Sequence, residues 1–443
     1  MKCFFSHIVV AGLCTLCTFS FAQQWTVQPI TLQPGERFDD IYMLSRDTGC
    51  IVSFNGTIYK TYDGGKLWYP KLKAGTTVYL RSIEFADDKK TGIAGALDGQ
   101  VFRTTNAGEN WTSITATMPD TGADRNLICG LAHNGNTFYG VGWWGSSTAR
   151  MFKSTDGGKT WSVNYLDSTL ATSLIDIACL DASTIITTGS RLKNGVRSDV
   201  ILKSTDAGKN WHHVYIEDTL GGRVWKVQFL DKNIGFASIE SHYFADTAVI
   251  LKTTDGGDHW HKIPVGKTVN NYTIGTQGVG FINENKGWVG GYYDGVFETT
   301  DGGQTWAHTY PAEVLNTNRF FKIDSFTMFA TYAGGAMKYV NGWSTSVKET
   351  ITQKSTAKHK LYDAVPNPVG NSLKIGFDLA EASNILLEIV YIDGKHTYPV
   401  TRTRLDKGHY TYSWDASDKP AGNYIIWLGT DDVPMVKKFT KSQ

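Results

Sequence analysis

One nine-residue phrase recurs six times along this chain and limits what it can fold into more than any other feature. The copies begin at Lys60, Arg103, Lys153, Lys203, Lys252 and Glu298 and end on Trp68, Trp111, Trp161, Trp211, Trp260 and Trp306. Residues 153–161 give a full form, Lys-Ser-Thr-Asp-Gly-Gly-Lys-Thr-Trp. The fourth position is Asp63, Asn106, Asp156, Asp206, Asp255 or Asp301, so the copies stand 43–50 residues apart. A weaker copy runs from Lys338 to Trp343. A fixed period of about 40–50 residues marks a repeat architecture and suits one four-stranded antiparallel unit per copy.

Each position in the phrase has a physical use. The Ser/Thr and Asp side chains can hydrogen-bond backbone N–H groups and close a tight turn between two strands. Gly65, Gly108, Gly158, Gly208, Gly257 and Gly303 can take the positive φ such a tip needs. The Trp is expected to start the returning strand and bury a large ring. Six near-identical carboxylates suit a scaffold better than six active sites, so Asp63, Asn106, Asp156, Asp206, Asp255 and Asp301 are read as structural. In the first unit the strands fall at Ile41–Leu44, Cys50–Phe54, Thr57–Tyr62 and Leu67–Lys71. The inner strands of later units begin near Ile83, Cys129, Ile177, Val227, Val279 and Phe320.

The motif resembles the Asp-box, or BNR, repeat of sialidase-like and photosystem-assembly-factor-like propellers. That resemblance implies an all-β fold: a seven-bladed β-propeller of four-stranded blades over residues 23–343. Trp25 to Pro29 matches the strand that follows each box and is expected to close the ring by pairing into the last blade, since an open ring exposes two strand edges.

The two ends differ from the repeat region. Lys2, an apolar run through Phe21 and the small-x-small sequence Ser20-Phe21-Ala22 read as a signal peptide over residues 1–22. No later run is long and apolar enough for a transmembrane helix. Cys50, Cys129 and Cys179 remain after the signal, an odd number without metal-ligand or redox spacing, and read as free thiols. Residues 344–361 are polar and read as a linker. Residues 362–443 alternate over Ser372–Leu379, Ile385–Ile392, Tyr398–Leu405, Tyr410–Trp414, Tyr424–Leu428 and Met435–Phe439, the pattern of a small β-sandwich. This segment resembles the type A C-terminal sorting domain of the type IX secretion system of Bacteroidetes, in Val365-Pro366-Asn367-Pro368, Ile392-Asp393-Gly394, Gly408-His409-Tyr410, Trp414-Asp415, Ala421-Gly422-Asn423-Tyr424 and Lys437-Lys438. The resemblance implies an Ig-like domain, passage through the periplasm, the type IX machinery as partner, and a secreted or outer-surface location.

Net charge is +1, which leaves no field to recruit nucleic acid or an anionic membrane. No P-loop, nucleophile elbow or metal-ligand cluster is present, and no cofactor is expected. Binding is expected on the face opposite the boxes, where the loops are unequal. Units one and two turn tightly at Asn55-Gly56 and Asp98-Gly99. Longer loops run from Trp143 to Arg150, Arg191 to Ser198 and Glu240 to Thr247, and Tyr292-Tyr293-Asp294 forms another. Aromatic rings stack on the C–H faces of sugars, so Trp143, Trp144, Tyr243, Tyr292 and Tyr293 are candidate contacts. Asp39, Asp40, Arg81, Arg125, Arg223, Lys226 and Arg319 fall where inner strands start, and Arg81, Arg223 and Arg319 are candidate ligand-binding arginines. A sialidase would need three arginines, a Tyr–Glu pair and an Asp acid. The Arg-Ile-Pro signature is missing and no Tyr–Glu pair can be placed, so no catalytic residue is assigned. The favoured reading is a non-catalytic binding or scaffold module for a glycan or protein. The competing one is a polysaccharide-degrading glycoside hydrolase.

Overall fold

The structure is a computed structural model that describes residues 25–30, 37–119, 128–142, 148–218, 222–240, 247–267, 276–291, 295–309, 316–340, 359–391, 397–430 and 435–442. Among these residues there is no α-helix, only a 3₁₀ turn at Thr115–Thr117. The described strands between residues 26 and 340 form seven four-stranded antiparallel sheets. Sheet one is Phe38–Met43, Gly49–Ser53, Thr57–Thr61 and Tyr69–Lys73. The inner strands of sheets two to seven are Leu80–Phe85, Gly130–Asn134, Ser173–Cys179, Arg223–Phe229, Thr276–Phe281 and Phe320–Lys322. Seven buried apolar clusters each join two neighbouring sheets, and the one containing Ile41, Ile51, Phe329 and Ala336 joins the seventh to the first. The sheets therefore pack in a closed circuit, a β-propeller, with the core between blades.

The strand after residue 24 closes that circuit. Thr26–Pro29 pairs antiparallel with Gly335–Val340, supplying the fourth strand of sheet seven. Trp25 anchors it, with its ring 5.2 Å from Trp288, 5.7 Å from Phe320 and 5.5 Å from Tyr339.

Each repeated phrase lies in the turn from third to outer strand. Ser154 Oγ donates to Asp156 Oδ1 (2.8 Å) and accepts from Gly158 N (2.8 Å), while Asp156 Oδ1 also accepts from Thr160 N (3.0 Å). Asn106 serves the same way, accepting from Thr104 Oγ1 and Asn110 N. The glycines at the tips have φ between 78° and 95°. The outer strand begins one residue later than the sequence suggests, at Ser162 rather than Trp161. The indole is folded back across the turn instead, with Trp161 Nε1 donating to Gly158 O at 3.2 Å.

The first residue of the phrase, given no job above, ties neighbouring sheets together. Lys60 Nζ donates to Ala107 O (2.7 Å), Arg103 Nε to Gly157 O (2.7 Å), Lys153 Nζ to Ala207 O (3.0 Å) and Lys203 Nζ to Gly256 O (3.0 Å). Each reaches the next box along the chain. Lys338, opening the weak copy, donates to Arg46 O of sheet one at 3.3 Å. Glu298 breaks the pattern and accepts instead from Trp288 and Lys286 of its own sheet.

Residues 360–441 form two further antiparallel sheets, of three and four strands, around one core that includes Leu373, Phe377, Leu387, Trp414, Tyr424 and Phe439. This unit touches the box side of the propeller. Arg46 binds both Asp324 and Glu388 at 3.1 Å, and Phe326 meets Trp427 edge-on at 5.1 Å. A cavity of about 620 Å³ lies beside these contacts.

Candidate functional site

Five of the inner strands start three or four residues earlier than the apolar pattern suggests, and the same five carry a register shift; the other two start at Gly130, one residue late, and at Phe320, as expected. The shifts fall at Phe38/Asp40, Leu80/Ser82, Leu174/Asp176, Val224/Val227 and Thr276/Gly278. A bulge re-aims side chains that a regular strand would alternate. Here it brings polar residues together along the central bore.

Two groups of contacts result. Towards the face opposite the boxes, Arg81 Nη1 lies 2.6 Å from Asp39 Oδ1, which also accepts from Asn318 Nδ2 at 2.8 Å. Asn318 Oδ1 in turn accepts from Trp225 Nε1 at 3.0 Å, and the Arg81 guanidinium lies 5.1 Å from the Trp225 ring. Deeper in the bore, Arg319 of sheet seven reaches Asp176 of sheet four through both terminal nitrogens (2.9 and 2.8 Å), and its Nε donates to Asp40 of sheet one at 2.8 Å. Sheets four and seven stand on opposite sides of the circuit, so Arg319 spans the bore. The carboxylates have further partners: Asp40 accepts from Ile41 N and Ile83 N, and Asp176 from Val227 N.

The electrostatics follow the geometry. Burial alone would lower the Arg319 pKa, but Asp176 and Asp40 hold it well above the usual value. Burial alone would raise the Asp176 carboxyl, yet Arg319 and Lys226 keep it below the ordinary range. Lys226 is buried in the same group with no hydrogen-bond partner for its ammonium, and burial together with Arg319 pushes it down to about 8.

Of the candidate arginines, Arg81 and Arg319 thus belong to the wall of the bore, bound to its carboxylates. Arg223 stands apart at the seam of sheets four and five, 3.5 Å from Glu240. Trp143, Trp144, Tyr243, Tyr292, Tyr293 and Arg125 lie outside the described residues. The strands leading into the five aromatics, Thr137–Gly142, Gly235–Glu240 and Gly287–Gly291, end on the face opposite the boxes. The segment Arg191–Ser198 is not a loop. Both strands extend into it, Ile185–Lys193 and Val196–Ser204, joined by Asn194-Gly195 with φ of 53° and 79°. An Asn-Gly pair with positive φ at both residues makes the tight turn whose twist matches a hairpin.

Sequence reasoning missed the box-side mouth of the bore, where a cavity of about 440 Å³ is lined by Glu84, His133, Cys179, Gln228 and Arg319 among others. His133 bridges Glu84 (2.8 Å) and Asp87 (3.1 Å). Burial would lower its pKa, but the two carboxylates raise it to about 9. Nothing in the local pattern distinguishes His133 from any other residue of an alternating strand. Cys50, Cys129 and Cys179 are free thiols. Among the described residues, no group of three or more His, Cys, Asp or Glu side chains could hold a metal, and no helix is long and apolar enough to cross a membrane.

No curated protein matches the chain. Among solved structures, YCF48 bound to D1 peptide aligns with 72% of this chain and 100% of its own length, at 15% identity and a TM-score of 0.50. YCF48 from Cyanidioschyzon merolae aligns with 71% of this chain and 98% of its own, at 17% identity and a TM-score of 0.55. The GH74 xyloglucanase from Xanthomonas campestris aligns with 93% of this chain and 75% of its own, at 13% identity and a TM-score of 0.55. At such identities these likenesses establish the propeller fold alone. The sequence match goes further, because it covers more than half of the chain, residues 19–135 and 140–269: this propeller belongs to the photosynthesis system II assembly factor YCF48 family, a BNR-type family.

Proposed function

We propose that the chain is an exported, non-catalytic binding propeller of seven blades that takes a protein or glycan ligand on the face opposite the boxes. The observation that carries this reading is the state of the bore. Asp39, Asp40 and Asp176, the carboxylates where a propeller hydrolase would keep its acid and base, are bound to Arg81, Arg319 and backbone N–H groups. A hydrolase needs two carboxyl groups roughly 5–10 Å apart and able to meet substrate and water. These three hold the ring together. A peptide ligand is supported by the family member described as bound to D1 peptide. The glycoside hydrolase remains the competing reading, favoured by the xyloglucanase likeness along 93% of the chain.

The proposed contacts are Trp143, Trp144, Tyr243, Tyr292, Tyr293 and Arg223. The mature protein, residues 23–443, is probed on peptide and glycan arrays. Replacing Trp143 and Trp144 together by Ala should abolish capture of whatever binds while leaving the melting temperature within a few degrees. Unchanged capture, or a large loss of stability, makes these residues structural, and release of reducing sugar from a polysaccharide panel establishes the hydrolase instead.

Export is part of the same proposal. Residues 1–22 direct the chain to the periplasm, and the C-terminal sandwich, residues 362–443, acts as an Ig-like sorting domain for type IX secretion. Deleting 362–443 should leave a folded propeller in the periplasm, and its normal appearance outside the cell would refute the sorting role.

A further inference from the structure

Sheets four and five meet around a carboxyl group that no hydrogen bond serves. Asp199 lies near the start of Val196–Ser204, in register with Ser190 on one side and Glu217 on the other. It is fully buried, and neither oxygen has a hydrogen-bond partner. Tyr215, one turn of the pleat from Glu217, also buries a hydroxyl without a partner. A lone ionised carboxylate in such a place is strongly disfavoured, so the group rests as the neutral acid. Burial first and the neighbouring Glu217 second push its pKa up to about 7.

The charges that face it come from both sheets. Glu217 and Arg197 belong to its own sheet; Lys262, Arg223 and Glu240 belong to sheet five. Glu217 is held by Lys262. Arg223 is held by Glu240 at 3.5 Å, a loose pair beside the 2.6–2.8 Å pairs of the bore. Gly222 marks where these groups converge: a Cβ there would sit 3.3 Å from Asp199 Oδ1 and 2.3 Å from Glu240 O. The residue after it is Arg223. Glu240 has a second donor, Gln277 Nε2 at 3.0 Å, which can hold it when Arg223 leaves.

We propose that Asp199 is a proton-controlled switch at this seam: as the neutral acid it leaves Arg223 on Glu240, and when it releases its proton to solvent it draws the Arg223 guanidinium inward. The change removes a positive charge from the face opposite the boxes and loosens the chain between 222 and 240. The inference concerns that face but does not depend on a ligand binding there, and its test uses none.

The mature protein is followed by thermal unfolding and by hydrogen exchange of residues 222–240 from pH 5 to pH 9, with exchange corrected for its intrinsic pH dependence. The melting temperature should fall as pH rises through about 7 and then level, because the folded state holds a proton there that the unfolded chain has already lost. Exchange over 222–240 should rise several-fold across the same interval. Asp199→Asn, which copies the neutral acid, should abolish both changes. If that variant fails to fold, Glu217→Gln serves in its place. Removing the like charge should move the midpoint down by about one pH unit, a tenfold weaker hold on the proton. Equal pH profiles in wild type and Asp199→Asn, or an unmoved midpoint in Glu217→Gln, overturn the switch.

Discussion

Replacing Arg319 by Met tests whether the bore is held shut by a strut. The substitution keeps most of the side-chain volume and removes the three nitrogens that reach Asp40 and Asp176. Removing one partner from a buried pair costs about 3–5 kcal/mol, because the charge left behind has lost its compensation. The lower end applies here, since Asp40 keeps Ile41 N and Ile83 N, and Asp176 keeps Val227 N. About 3 kcal/mol corresponds to a fall of roughly 4–5 °C in a domain of this size. The pH dependence gives a second, sharper check. In the wild type Asp176 is held below the ordinary carboxyl range, so its contribution is present at neutral pH and lost only as pH falls through that depressed value. In Arg319→Met burial dominates and the carboxyl rises, so the variant recovers stability as it is acidified. Calorimetry on the mature protein at pH 8 and pH 5 should therefore show a gap that narrows at the lower pH. A gap under about 2 °C at pH 8, or one that widens on acidification, refutes the strut.

Two other substitutions probe the ring. Lys203→Met removes a buried ammonium that donates to Gly256 O and pairs with Asp258 at 2.7 Å, and should lower stability by about 1–2 kcal/mol in urea unfolding. The exposed Lys209→Met in the same turn is the control, and an equal effect from the two would mean that the inter-sheet tie contributes nothing. Trp25→Ala empties the apolar site shared with Trp288, Phe320 and Tyr339 and should cost about 3–5 kcal/mol. A loss below 1 kcal/mol would show that the closing strand is not needed to hold the seventh sheet.

The turns were legible because their chemistry is local. A Ser/Thr, an Asp and a glycine within five residues satisfy one another's backbone groups, and every copy states the same solution. Two C-terminal strands were legible for a similar reason, since period-two alternation survives along Ser372–Leu379 and Gly408–Asp415 almost unbroken. The bore was not legible. Asp39, Arg81 and Trp225 face one another only because bulges break the alternation of strands that are otherwise regular, and the partners lie on different sheets far apart in sequence. The role of Lys60, Arg103, Lys153 and Lys203 was overlooked although a signal existed: a cation at the head of the phrase recurs as faithfully as the Asp. A turn does not require it, and that surplus could have pointed to a contact with the next repeat.

The two faces of the ring differ in how much they can vary, and the difference follows from hydrogen bonding. On the box side four of the turns satisfy their own N–H groups and also offer a carbonyl to the cation of the preceding repeat, through Ala107, Gly157, Ala207 and Gly256. A change at one box therefore disturbs two sheets, so this face is held uniform. The opposite face carries no such obligation. Its second-to-third strand connections range from the short turn through Asn55-Gly56 to the extended hairpin that ends in the two-residue turn Asn194-Gly195. The bore between the faces is closed by Arg319 and its carboxylates, which keeps the ring in register however the connections differ. A scaffold fixed on one side and through its axis concentrates its freedom on the other, and a recognition surface can arise there without altering the fold.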